Sequence, residues 1–128
     1  MPERFGSKAR ESPKGIAFIG TSGFNYSSWR GIFYPEGLPS REWLSFYSSR
    51  FRSVELNVTF YCWPRPSTLR SWRQTAGPEF RFAVKLHQSI THKKRLRDTQ
   101  TELARVVELV GELQPALLLA QLPPSLRF

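Results

Sequence analysis

The stretch Ser53–Tyr61, SVELNVTFY, limits what this chain can fold into more than any other. Read with a period of two, it sets Val54, Leu56, Val58 and Phe60 on one side of a strand and Glu55, Asn57, Thr59 and Tyr61 on the other. A lone surface strand would turn its polar side to water. The surrounding chain argues otherwise, because strand and helix patterns alternate, and that order predicts a parallel sheet covered by helices. In a (β/α) barrel the second face of each strand points inward, where a carboxylate and an amide near the C-terminal end line the mouth. Glu55 and Asn57 are therefore the first candidates for chemistry.

The flanking segments supply the rest of the pattern. Ile16–Ile19 is a short apolar run that reads as a buried strand, ended by Gly20, Thr21, Ser22 and Gly23. Those four residues read either as a plain glycine turn or as a loop whose N–H groups and hydroxyls cradle an anion. No Lys follows in P-loop spacing and no GxGxxG is present, so no nucleotide cofactor is implied. Phe24–Pro39 is a long aromatic loop in which Trp29, Arg30, Phe33 and Tyr34 either stack on a planar or phosphorylated ligand or pack on the first helix. That helix is expected from Ser40, as its cap, to about Phe51, with Trp43, Leu44, Phe46, Tyr47 and Phe51 inward.

A second helix is predicted over Ser67–Ala76, stopped by Gly77 and Pro78. Phe80–His87 is the third strand, with Phe80, Phe82, Val84 and Leu86 on one face and Arg81, Ala83, Lys85 and His87 on the other. Lys85 then shares a face with Glu55, either as its charge partner or as an anion contact, acid, base or amine nucleophile. Gln88–Arg97 is a loop carrying Thr91, His92 and the run HKKRLR. A third helix is expected from a cap at Asp98 or Thr99 to Leu113, with Leu103, Val106, Val107, Val110 and Leu113 in register. Ala116–Leu122 reads as a fourth, doubly covered strand, with Gln121 opening onto the mouth.

The 128 residues, 40% hydrophobic and 14% aromatic, suit one globular domain, preceded by a disordered basic leader over Met1–Gly15. No apolar run approaches the roughly 18 residues of a membrane span, and the leader lacks the apolar core of a secretory signal. A soluble cytoplasmic protein without a membrane partner is the expectation. Cys62 is the only cysteine, which rules out an intrachain disulfide. His87 and His92 are the only histidines, too few for a metal set within this chain. The formal charge of +9, from 19 Lys and Arg against 10 Asp and Glu, makes nucleic acid or an anionic small molecule the partner classes to test.

About four parallel strands and three helices fit an open doubly wound sheet or half of a (β/α) barrel. Glu55, Asn57, Lys85, His87 and Gln121 recur late on successive strands with one facing, which favours the α/β half-barrel. Such a half leaves its first and fourth strands as open edges, to be covered by a second copy or by a missing C-terminal half.

The motifs GTSGFNYSSWRGIFYPEGLP, VELNVTFY, FRFAVKLHQSITHKKRL and ALLLAQLPPSLRF resemble the YecE-like family, catalogued as domain of unknown function 72. The likeness runs from about Gly15 to Phe128, and implies a TIM-barrel fold of which this chain is the N-terminal half. The positions on the family's motifs are Gly20–Gly23, Trp29, Gly31, Phe33, Tyr34, Pro35, Glu55, Asn57, Thr59, Phe60, Tyr61, Lys85, Thr91, His92, Gln121, Leu122 and Pro123. Phe24 stands where members often carry Trp. The resemblance implies no settled activity; the likening of these barrels to endonuclease IV suggests nucleic acid or a phosphorylated ligand. The combined expectation is a barrel mouth with Glu55 as general base and Lys85 as its catalytic partner. Gly20, Thr21, Ser22, Gly23, Trp29, Tyr34, Asn57, Tyr61, Thr91, His92 and Gln121 would contact the ligand there. The alternatives are a non-catalytic nucleic-acid binder and an inactive remnant.

Overall fold

The computed structural model describes residues 14–127, so the leader expected over Met1–Gly15 lies almost wholly outside the described residues. Four strands form one parallel sheet in the order β1-β2-β3-β4, with β1 at Gly20–Ser22, β2 at Ser53–Leu56, β3 at Arg81–Lys85 and β4 at Leu117–Leu119. Helices alternate with them: α1 at Trp43–Arg50, one helical turn α2 at Val58–Tyr61, α3 at Pro66–Ala76 and α4 at Gln100–Leu113. Parallel neighbours need a crossover, and here α1, α3 and α4 supply it.

The first strand is displaced from its expected place. Ile16 and Ile19 are 77% and 72% exposed, and the pairing starts at Gly20, opposite Ser53. A Cβ on Gly20 would lie 1.9 Å from the Ser53 carbonyl oxygen, so this glycine admits a neighbouring strand and does not make a turn. The second strand is shorter than its alternation suggests. It ends at Leu56, and Thr59, buried, shares its one hydroxyl hydrogen between the carbonyls of Leu56 (2.9 Å) and Lys85 (2.7 Å). Those bonds draw Thr59 inward and turn Val58, expected inside, out to solvent.

Between sheet and helices lies an aromatic core. Val54, Leu56, Phe82 and Val84 face Trp43, Leu44 and Tyr47 of α1, Leu69 of α3, and Leu109 and Leu113 of α4. Pro66 opens α3, where its missing N–H costs nothing, and Gly77 at φ 81° closes it. Neither Ser40 nor Thr99 makes a side-chain cap bond; a tight turn at Ser40–Glu42 leads into α1 instead. On α4 the buried stripe is Val106, Leu109 and Leu113, while Leu103, Val107 and Val110, expected inward, are exposed. Leu109 was outside the expected register because α4 meets α3 along one flank, leaving its other flank uncovered by any described residue. At the far edge β4 is only three residues long, with Leu117 and Leu118 exposed and Gln121 already past its end.

Candidate functional site

Since Val54, Leu56, Phe82 and Val84 point at the helices, the alternate residues emerge on the open face of the sheet. Strand register arranges them in rows. Gly20, Ser53 and Arg81 form the lowest; Ser22, Glu55, Ala83 and Leu117 form the next; Lys85 and Leu119 lie above.

Glu55 aligns with Ala83, two residues before Lys85, and so sits about 6.6 Å lower along the sheet at the usual strand rise. The two do not form an ion pair among the described residues, against the expectation that they would be charge partners. Glu55 instead accepts the Ser22 hydroxyl (3.2 Å), and Ser22 accepts the Asn57 side-chain amide (2.5 Å). The three form a polar chain joining β1, β2 and the start of α2. Tyr26 ties it down by donating its hydroxyl to the Ser22 carbonyl (2.5 Å).

Lys85 turns toward α2, where its Nζ lies 4.5 Å from the centre of the Phe60 ring. The His92 ring meets the same Phe60 edge-on, with centroids 5.0 Å apart. Thr91, buried, holds His92 through a 2.8 Å contact between its hydroxyl and Nδ1, so Nε2 is the ring's other hydrogen-bonding nitrogen. A lysine and a histidine from separate elements thus converge on one ring. A cleft of about 450 Å³ opens beside them at the C-terminal ends of β1, β2 and β3. Tyr26, Asn57, Tyr61, Trp72 and Lys85 line it, and Tyr61 is 69% exposed. A second hollow, about 420 Å³, runs below it along the open face past Ser22, Glu55 and Arg81.

Other expected contacts lie elsewhere. Tyr34 is 1% exposed and stacked flat on Trp43 (4.7 Å, 5°), with its hydroxyl donated to the Phe24 carbonyl, so it has no ring face for a ligand. Burial, with Tyr47 nearby, pushes its hydroxyl up to about 12. Trp29 packs on Tyr26, Phe33 and Tyr34, so this loop plugs the end of the core. Gly20–Gly23 is strand and strand end: the Thr21 N–H goes to the Tyr47 hydroxyl (2.8 Å) and the Gly23 N–H to the Glu55 carbonyl (2.7 Å). Two of the N–H groups that an anion cradle would use are thereby committed. Gln121 is exposed beyond β4 and lines neither hollow.

The basic run after β3 is fastened in part. Lys94 bonds Glu102 (2.8 Å) and the Asp98 carbonyl (3.0 Å), and Arg95 bonds Ser125 (3.1 Å). The Lys94 hydrogen bond, more than any other influence, holds the Glu102 carboxyl below its usual range. Arg95, Leu96 and Asp98 take left-handed φ values of 49°, 66° and 49°. Just before this run, His87 stacks on Trp63 (4.7 Å, 18°), and its Nδ1 accepts the Ser89 N–H (3.1 Å) and contacts the Ser89 hydroxyl (2.8 Å). Burial lowers its pKa, Lys93 and Arg105 add to that, and the Tyr61 backbone and Glu102 oppose it. Trp63 carries no signal in the sequence, and Phe60 is marked only by its place on the family's motif. Phe60 had been placed on an apolar face by a period that stops at Leu56.

A four-stranded parallel sheet with crossover helices on one side and a polar mouth at its strand ends is an α/β fold built from barrel-type βα units. The family model described as "Protein of unknown function DUF72" matches residues 18–128, and the chain belongs to that family. UPF0759 protein YecE of Escherichia coli K12 is 27% identical over 100 residues, covering 78% of this chain and 34% of the relative; the O157:H7 protein matches equally. The crystal structure of a DUF72 family protein from Thermotoga maritima superposes with a TM-score of 0.70 at 34% identity, over 87% of this chain and 46% of that one. The chain thus spans about a third of the curated relatives' length and just under half of the solved structure's.

Proposed function

We propose that the cleft at the C-terminal ends of β1–β3 binds a phosphorylated or other anionic ligand, with Lys85 as the charge contact, His92 a hydrogen-bonding contact from beside the cleft across Phe60, and Asn57 and Tyr61 shaping its walls. The observation that carries this reading is Lys85: it lines the cleft, rests over Phe60, and has no carboxylate partner among the described residues. A cation held on an aromatic face keeps its charge available to an anion while its stem stays ordered. Glu55, in the lower row, lines the second hollow, which supports our reading of it as a base on the part of the ligand that reaches there.

A nucleic-acid groove made from Trp29, Tyr34 and the basic run has less support, since Tyr34 is enclosed and Lys94 and Arg95 are engaged. We take the open edges at β1 and β4 to be covered by a second copy or by a C-terminal half, and the solution mass from light scattering separates these.

Titration with inorganic phosphate, followed by amide chemical shifts, tests the anion reading. Saturable shifts centred on Lys85, His92 and Asn57 are expected, weakened at least about tenfold in Lys85→Met, the size of one lost charge-assisted contact. Shifts unchanged by Lys85→Met would remove Lys85 from the site.

A further inference from the structure

The histidine that the anion reading leaves unused sits directly upstream of the one it uses. His87 lies two residues past the end of β3, and the wide turn Ser89–Lys93, which carries Thr91 and His92, begins two residues later. Because the Ser89 N–H donates to Nδ1, that nitrogen bears no proton, and the ring is neutral with its hydrogen on Nε2. The Ser89 hydroxyl can exchange donor for acceptor if Nδ1 gains a proton, but the backbone N–H cannot.

We propose that His87 is a pH-sensitive latch on this turn: neutral, it holds Ser89 and so keeps His92 against Phe60; protonated, it expels the Ser89 N–H and loosens the turn. The inference rests on the anion reading for its consequence at the mouth, but not for the latch itself. Surrounding groups act with it. Lys93 on the turn and Arg105 on α4 repel a charged ring, whereas Glu102 on α4, itself paired to Lys94, and the Tyr61 backbone on α2 favour one. Trp63 also welcomes a cation on its face, though the Arg105 guanidinium already lies 5.5 Å from the centre of that ring.

Two readouts on the full chain test the latch and the mouth separately. The first is hydrogen exchange, corrected for intrinsic rates, at the amides of Lys94 and Leu96, which bond the Ser89 and Ile90 carbonyls (2.9 Å each). Between pH 7.5 and 5.5 their protection is expected to fall about tenfold in the wild type. His87→Asn keeps an acceptor for the Ser89 N–H without titrating, and its protection is expected to stay level. Protection that is flat in the wild type, or that falls equally in both proteins, overturns the latch. Should His87→Asn not fold, the midpoint of the wild-type His87 Nδ1 shift must coincide with the loss of protection, and a mismatch overturns the proposal.

The second readout is the affinity for sulfate, which stays doubly charged over this range. It is expected to drop about tenfold on acidification in the wild type, as the loosened turn takes His92 away from Phe60. An unchanged or rising affinity overturns the proposed control of the mouth by the latch. No sulfate binding at any pH, with protection changing as expected, sinks the anion reading and leaves the latch standing.

Discussion

On the helix side of the sheet aromatic rings brace one another: Phe33 alone touches Trp29, Tyr34, Phe46, Tyr47 and Phe51. On the open side a polar chain of three residues and one lysine over one ring do the positioning. The first side is redundant and buried; the second is sparse and wet. Stability is therefore concentrated on the helix side, which meets the cleft only through Phe24, Leu56 and Trp72, and the polar residues proposed to bind a ligand are free to vary with little effect on folding.

That contrast can be broken or sharpened by substitution, followed by urea unfolding. Trp43→Ala removes the flat partner of Tyr34 and leaves a cavity, and a loss of about 3–5 kcal/mol is expected. Gly20→Ala drives a methyl into the Ser53 carbonyl and is expected to cost about 1–3 kcal/mol by forcing β1 away from β2. Thr59→Val unties the ends of β2 and β3 at similar volume, for about 1–2 kcal/mol. Glu55→Gln should change stability by less than about 0.5 kcal/mol; a loss rivalling that of Trp43→Ala would mean that the open face is structural after all.

The smallest expected effect is on pH dependence. His87 has a lowered folded pKa, so the unfolded chain takes up the proton first as pH falls below about 6.5. The contribution of His87 is thus complete above that value and is lost as pH falls through the depressed folded one. Glu102 behaves in the same sense at lower pH, through its bond to Lys94. Unfolding midpoints of wild type and His87→Asn should therefore separate only on the acid side of neutrality.

Much of the fold was legible because it rests on periodicity. β3 and α3 lie within a residue or two of their expected bounds at each end, since Phe82 and Val84 alternate cleanly and Pro66 and Gly77 punctuate the helix. Where a side chain bonds the backbone across strands, the pattern misled. Thr59 curtails β2, and Gly20, which reads as a turn residue, is strand. The site was legible in part: Glu55, Asn57 and Lys85 do share the open face, but their row spacing, and so the missing Glu55–Lys85 pair, depends on register between strands. The meeting of Lys85 and His92 at Phe60 joins three elements and has no local signature.

The strand order itself bears on how the chain reaches this state. Each strand pairs with the next one in sequence, across connections of 30, 24 and 31 residues, each one βα unit. Every pairing therefore meets nearly the same loop-closure entropy, and none waits for a distant segment. Assembly can begin at β2 and β3, whose register is the longest, and spread to β1 and β4 as independent additions. The edge strands, added last in that sequence, are then the first to detach under mild denaturant, ahead of the aromatic core.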